Sequence, residues 1–399
     1  MRRLFWQSAL VSQVFALAVG CCLGPATALA EDAFVASLRL RGGYDSNPVF
    51  GTGGGIGGSA FVSAETALAA GGEIDSLRVA VAAEGATTRY ANPAMAAART
   101  GKVLLRGSLG DDGFRVDATT TFSDADTYNL RSSDLAQSVK LQSRHGDLKL
   151  FVTAEGGLTR LNQTNAIFPN FFPTPHQFWR ATVIPGMSIV RDKTEVGVSV
   201  NLSARRYAQK FDIFGYVRDN ERLEPFLFAR HSDDTLTAFG AVSWLAGRWH
   251  DPDFSNVGRL LFDASVTWKP KPLTVDLVAS RRASETTFPI SPITIDTLYS
   301  AKASWQIDPT WALQASVGYS DIAYLDSDFR ARTLSYGIGV TRDLGHDVKL
   351  GFDLTRMTGT LISGEPADAV IVAASLSRRF APGEASKDEK MRTGAPPVR

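Results

Sequence analysis

Cysteine is almost absent: the 399 residues hold two, Cys21 and Cys22, side by side near the start. The rest of the chain has no thiol to form a disulfide, attack a substrate or hold a metal. After residue 30 no apolar run is long enough for a transmembrane helix. Charge of one sign is not in excess either. Lys and Arg total 42 against 41 Asp and Glu, so nucleic-acid binding lacks an electrostatic basis. Walker loops, HExxH and GxSxG are missing, which removes the usual nucleotide, zinc-protease and serine-hydrolase signatures. Amphipathic helical periodicity is missing too, and neither a cofactor nor a metal is expected.

The opening residues read as an export signal. Arg2 and Arg3 form a basic start, residues 9–23 are apolar, and Ala28-Leu29-Ala30 resembles a signal-peptidase site. Ser8, Ser12, Gln13 and Pro25 break up a membrane anchor, and Ala18 argues against a lipobox at Cys21. Residues 1–30 are therefore expected to be a signal peptide, 31–380 one folded unit, and 381–399 a disordered periplasmic tail, charged and containing Pro and Gly.

What the chain does have is alternation. In GKVLLRGSLGDDGFRVDATTTF (101–122), Val103, Leu105, Phe114, Val116, Ala118 and Phe122 point one way, while Lys102, Arg106, Arg115 and Asp117 point the other. Two such runs around Asp-Asp-Gly predict a hairpin with one apolar and one charged face. The pattern recurs over 33–42, 59–70, 74–88, 101–109, 113–123, 135–143, 147–159, 178–189 and 194–206. It continues over 223–230, 234–245, 258–269, 273–282, 296–307, 310–320, 331–342, 347–357 and 369–380. That makes eighteen strands, with sixteen as the alternative count; Pro225 makes 223–230 the poorest match.

Tight turns and longer connections alternate strictly, which puts all tight turns at one end of an up-and-down sheet. Transmembrane barrels of the outer membrane have that asymmetry, whereas Greek-key sandwiches scramble it. The apolar face then meets lipid, and a closed wall leaves no strand edge in the hydrocarbon. Trp268, Trp305, Trp311 and Phe380 are expected at the periplasmic rim; Trp179, Tyr207, Trp244, Tyr299 and Tyr319 are expected near the outer rim, as two aromatic girdles. Loops 160–177 and 207–222 are candidates for folding into the lumen.

The opposite face supplies pore-lining candidates. The basic ones are Arg39, Arg41, Arg78, Lys102, Arg106, Arg115, Lys140, Lys149, Arg180, Arg205, Arg282, Lys302 and Lys349. The acidic ones are Glu65, Glu84, Asp117, Glu155, Glu195, Asp263, Asp276 and Asp353. Basic rings favour anions, with Arg39, Arg41, Arg106 and Arg115 as the expected patch; the same charges could instead form ion pairs that brace the wall.

LRLRGGYDSNPVF (38–50), a first strand running into Gly-Tyr-Asp-Ser-Asn, resembles the opening of the putative β-barrel porin 2 family, most closely over Gly43 to Asn47. The resemblance implies a porin-like outer-membrane barrel and, from some relatives, a link to exopolysaccharide export. Tyr44-Asp45-Ser46-Asn47 reads as turn chemistry at a strand end, ahead of a ligand or calcium role. AVIVAASLSRRF (369–380) ends on Phe380, like the signal read by the barrel assembly machinery, although residues 381–399 follow it.

The first function expected is a channel for small polar solutes in contact with outer-membrane lipids and lipopolysaccharide. Polysaccharide export or assembly is the alternative, and a barrel hydrolase a distant one. Of the five histidines, His145, His231 and His346 sit in predicted tight turns, and His176 and His250 in loops. His231-Ser232-Asp233-Asp234 reads as a polar turn, because triads are assembled by the fold and not by adjacency. No enzyme is expected. Neither is energy-coupled transport, since no plug domain precedes the strands.

Overall fold

The computed structural model describes residues 34–48, 50, 57–93, 95, 97–111, 113–127, 130–163, 176–212, 214–288 and 291–381. The expected signal peptide, most of the tail and the centre of loop 160–177 lie outside them. Eighteen strands follow one another: β1 (Phe34–Asp45), β2 (Ser59–Ile74), β3 (Leu77–Tyr90), β4 (Ala98–Gly110), β5 (Phe114–Asp126) and β6 (Leu130–His145). Next come β7 (Leu148–Gln163), β8 (His176–Arg191), β9 (Thr194–Tyr207), β10 (Asn220–Ser232), β11 (Leu236–Trp249) and β12 (Val257–Trp268). The last six are β13 (Leu273–Glu285), β14 (Ile293–Gln306), β15 (Trp311–Tyr324), β16 (Arg330–Gly345), β17 (Val348–Thr360) and β18 (Pro366–Phe380).

Each strand pairs antiparallel with its sequence neighbours, and β18 returns to β1 from Ala36↔Phe380 to Asp45↔Ile371. The sheet is a closed barrel. Every backbone group in the membrane span can then find a partner within the wall. Strands are 12–16 residues long, more than the roughly 9–11 that cross a bilayer. The excess lies largely at the long-loop end, where Ser, Asp and Asn replace the apolar alternation. Residues 124–134, read from sequence as a loop, are mostly strand for that reason: Ser123↔Asp134 and Asp124↔Ser133 still pair. Likewise β10 extends on both sides of 223–230 and passes through Pro225. Proline sits there facing lipid, and the β10–β11 register skips Glu224 and Pro225.

Three of the tight turns share one device. Asp111 Oδ1 accepts the N–H groups of Gly113 and Phe114, Asp233 Oδ1 those of Thr235 and Leu236, and Asp308 Oδ1 those of Thr310 and Trp311. These are Asx turns. The donated N–H groups, foremost Phe114, Leu236 and Thr310 respectively, hold the three carboxyls below the usual aspartate range.

One hairpin leaves the wall. Pairing of β12 with β13 stops at Phe262↔Arg281, although β12 continues back to Val257. Lower down, Leu277 and Ala279 of β13 pair with Ala301 and Tyr299 on the lipid-facing side. Above Arg281 that same face, now Ala283 with Ile293 and Ile295, lies against the inner wall. There it joins Leu245, Trp249, Val257 and Leu261 in one buried apolar cluster. The end of β13–β14 is therefore tucked into the lumen. Sequence alternation pointed to 207–222 as an infolding loop and read 283–295 as a plain connection; both segments take part.

Candidate functional site: a charged lumen with a constriction

Cross-strand register decides which face each residue takes, because directly paired residues share a side. Exposed Leu38, Leu40, Leu105, Val196, Val198, Leu260 and Leu277 mark the outward face. Trp179, Trp244, Trp268, Trp305, Trp311 and Phe380 share it and are all exposed. Tyr207 does not. It pairs with Phe178 and donates its hydroxyl to Glu285 at 3.0 Å, so its expected place in the outer girdle is corrected. As an odd-numbered residue of β9 it points with Glu195 and Arg205, away from Val196 and Val198.

Arg39, Arg41, Arg78, Lys102, Arg106, Arg115, Asp117, Lys140, Arg205 and Arg282 lie on the inward face by register. The structure pairs many of them. Arg39 reaches Glu65 and Asp353, Arg41 reaches Asp353 at 3.4 Å, and Arg115 reaches Asp117 at 2.9 Å. Arg78 is held by its cross-strand partner Glu73 on β2, and Arg282 by Asp263. Of the expected basic patch, only Arg106 is left without a carboxylate within 4.0 Å among the described residues. Lys102 and Lys140 are in the same condition.

The long-loop end holds a denser cluster. Arg205 and Arg222 both converge on Glu285, at the infolded end of β13. Arg222 also donates to Asn220 Oδ1, and Arg180 joins Asp134 to Glu155 across β6–β8. Behind Glu285, the buried Arg218 guanidinium donates to the carbonyls of Thr286, Phe288 and Ser291 and to Asp212. Loop 208–219 thus latches the infolded hairpin. A buried guanidinium with this many acceptors is satisfied where an unpaired one would be costly.

Arg218, Arg222, Arg230 and Glu285 were not among the sequence candidates. Arg222 fell just outside the expected strand 223–230 and Glu285 just outside 273–282; a continuous reading through Pro225 would have placed Arg222 and Arg230 together on the inward side. Histidines are scattered. His250 meets Glu221 at the long-loop end, Ser143 and His145 touch at the tight-turn end, and His176 is buried against Tyr207. Thr194 Oγ1, His231 and Asp233 do form a hydroxyl–imidazole–carboxylate chain, at 2.9 and 3.1 Å. It sits on a turn, and Asp233 is already engaged in the Asx turn.

A closed antiparallel wall, apolar outside and charged inside, defines a porin-like β-barrel of the outer membrane. Residues 189–377, from the end of β8 into β18, match the putative β-barrel porin 2 family. The family first suggested by Gly43 to Asn47 is thus supported by a different part of the chain. No curated protein matches. Among solved structures, OpdK of Pseudomonas aeruginosa is 11% identical and covers 88% of this chain and 99% of its own, with a TM-score of 0.45. OccK9 (OpdG) of the same organism is 12% identical, covering 87% and 98% at 0.46. The FrpB iron transporter of Neisseria meningitidis is 10% identical at 0.45, covering 83% of this chain; this chain spans only 62% of FrpB.

Proposed function

We propose that the barrel is a channel for small polar solutes with a mild preference for anions. Lys102, Arg106 and Lys140 carry this reading, as inward-facing cations with no carboxylate within 4.0 Å among the described residues. Cations lining a pore raise the local concentration of anions. The constriction at Arg205, Arg222 and Glu285 limits solute size. In this reading the tight turns face the periplasm, lipopolysaccharide surrounds the long-loop end, and Phe380 closes a strand recognised during barrel assembly. The histidine clusters serve turns and rims and have no catalytic part.

Reversal potentials of the refolded barrel in planar bilayers under a salt gradient test this. Anion selectivity that falls in Lys102→Ser with Arg106→Ser is the expected result. A cation-selective or non-conducting barrel overturns the reading.

A further inference from the structure

Below the constriction the inner wall departs from its polar pattern. On β5 the inward positions are Arg115, Asp117, Thr119, Thr121 and Ser123, as a wet lumen requires. On β7 and β10 they include Phe151, Phe226 and Phe228. Phe151 and Phe228 are separated by two whole strands, yet their rings meet edge to face at 6.1 Å, and Phe226 lies 6.1 Å from Phe228. They meet because the strands between them offer Gly186 and Ser188, then Gly197 and Ser199. A Cβ at Gly186 would lie 2.4 Å from the Phe151 ring, and one at Gly197 2.5 Å from the Phe228 ring. The rings therefore lie along the wall over a floor of small residues.

Cations flank the rings. Lys140 Nζ stands 5.0 Å from the centre of the Phe151 ring, and the Arg230 guanidinium 5.8 Å from that of Phe239, its cross-strand partner. Neither has a carboxylate within 4.0 Å among the described residues; the nearby Glu195 is taken by Lys149 and Ser188. Half-buried rings facing water forgo hydration free energy that serine would not. A cation over an aromatic face keeps its remaining donors for a second partner.

Resting on the channel reading, we propose that this patch binds an organic anion with a flat apolar face. The carboxylate engages Lys140 and Arg230, and the flat face stacks on Phe151 and Phe226. An aromatic acid and a sugar acid both have this chemistry.

Current block of the full-length barrel in planar bilayers is the test, with benzoate and glucuronate as probes and benzyl alcohol and glucose as neutral controls. Saturable block by either acid but by neither control is expected, and which acid blocks identifies the source. Lys140→Ala with Arg230→Ala should weaken block about tenfold, the loss of a charge-assisted contact, with block read as a fraction of each barrel's own unblocked current. Phe226→Leu, at a half-buried position, supplies a second variant that should fold and bind more weakly. Equal block by acids and controls, block by neither acid, or block unchanged in both variants overturns the proposal. A barrel that conducts no salt refutes the channel reading alone. In that case titration calorimetry of benzoate and glucuronate with the detergent-folded protein decides the patch: heat lost in the double variant supports it, and no heat with wild type overturns it.

Discussion

The two charged regions of the lumen solve opposite problems. At the long-loop end, Arg205, Arg218 and Arg222 are surrounded by acceptors, and Glu285 is shared by two of them. Near the tight-turn end, Lys140 and Arg230 stand over rings with no carboxylate within 4.0 Å among the described residues. Saturated charges fix geometry, since each donor has one place to go; unsaturated ones remain available to whatever passes. The first region is built to hold shape and the second to meet a solute.

Removing Glu285 should have the largest effect. Glu285→Ala leaves Arg205 and Arg222 enclosed without a counter-charge, and breaking a buried pair costs about 3–5 kcal/mol. The infolded hairpin should loosen, seen as a lower urea midpoint in detergent together with a higher single-channel conductance. Unchanged conductance would show that the hairpin does not limit the pore. Gly197→Ala comes next. Its Cβ would lie 2.5 Å from both the Met187 carbonyl oxygen and the Phe228 ring, and overpacking of this kind costs about 1–3 kcal/mol. Stability should fall with the single-channel conductance intact, which separates the aromatic region from the constriction.

The smallest effect belongs to the turns, which serve neither region. Asp111→Ala, Asp233→Ala and Asp308→Ala together should lower the unfolding temperature slightly at neutral pH. These carboxyls are depressed in the folded chain. Their contribution is therefore present above the unfolded aspartate value, near 3.9, and is lost as pH falls through the lower folded value. Melting curves of wild type and variant should converge on acidification and stay apart at neutral pH.

The wall was readable from the sequence because lipid enforces a period of two. Val196, Val198, Val200 and Leu202 against Glu195, Ser199 and Asn201 leave one register open. The end of β13–β14 was not readable, for a physical reason. Ala283, Ile293 and Ile295 continue the apolar phase of Leu277 and Ala279, and alternation looks the same whether that face meets acyl chains or the inside of a neighbouring wall. Only the end of the β12–β13 pairing at Phe262↔Arg281 tells the two apart. The constriction was missed for a related reason: Arg222 and Glu285 lie at strand ends, where polar residues blur the boundary between strand and loop.

The pairing of Ala36 with Phe380 brings the two extremes of the barrel to the same spot at the tight-turn end. A ring of antiparallel neighbours has no privileged starting strand. A short peptide joining those extremes, with a new opening cut in loop 91–97, would preserve every cross-strand pair. The order in which the strands are synthesised is thus separable from the order in which they stand, and rearranged chains of this kind offer a direct view of how much barrel closure depends on which strand arrives last.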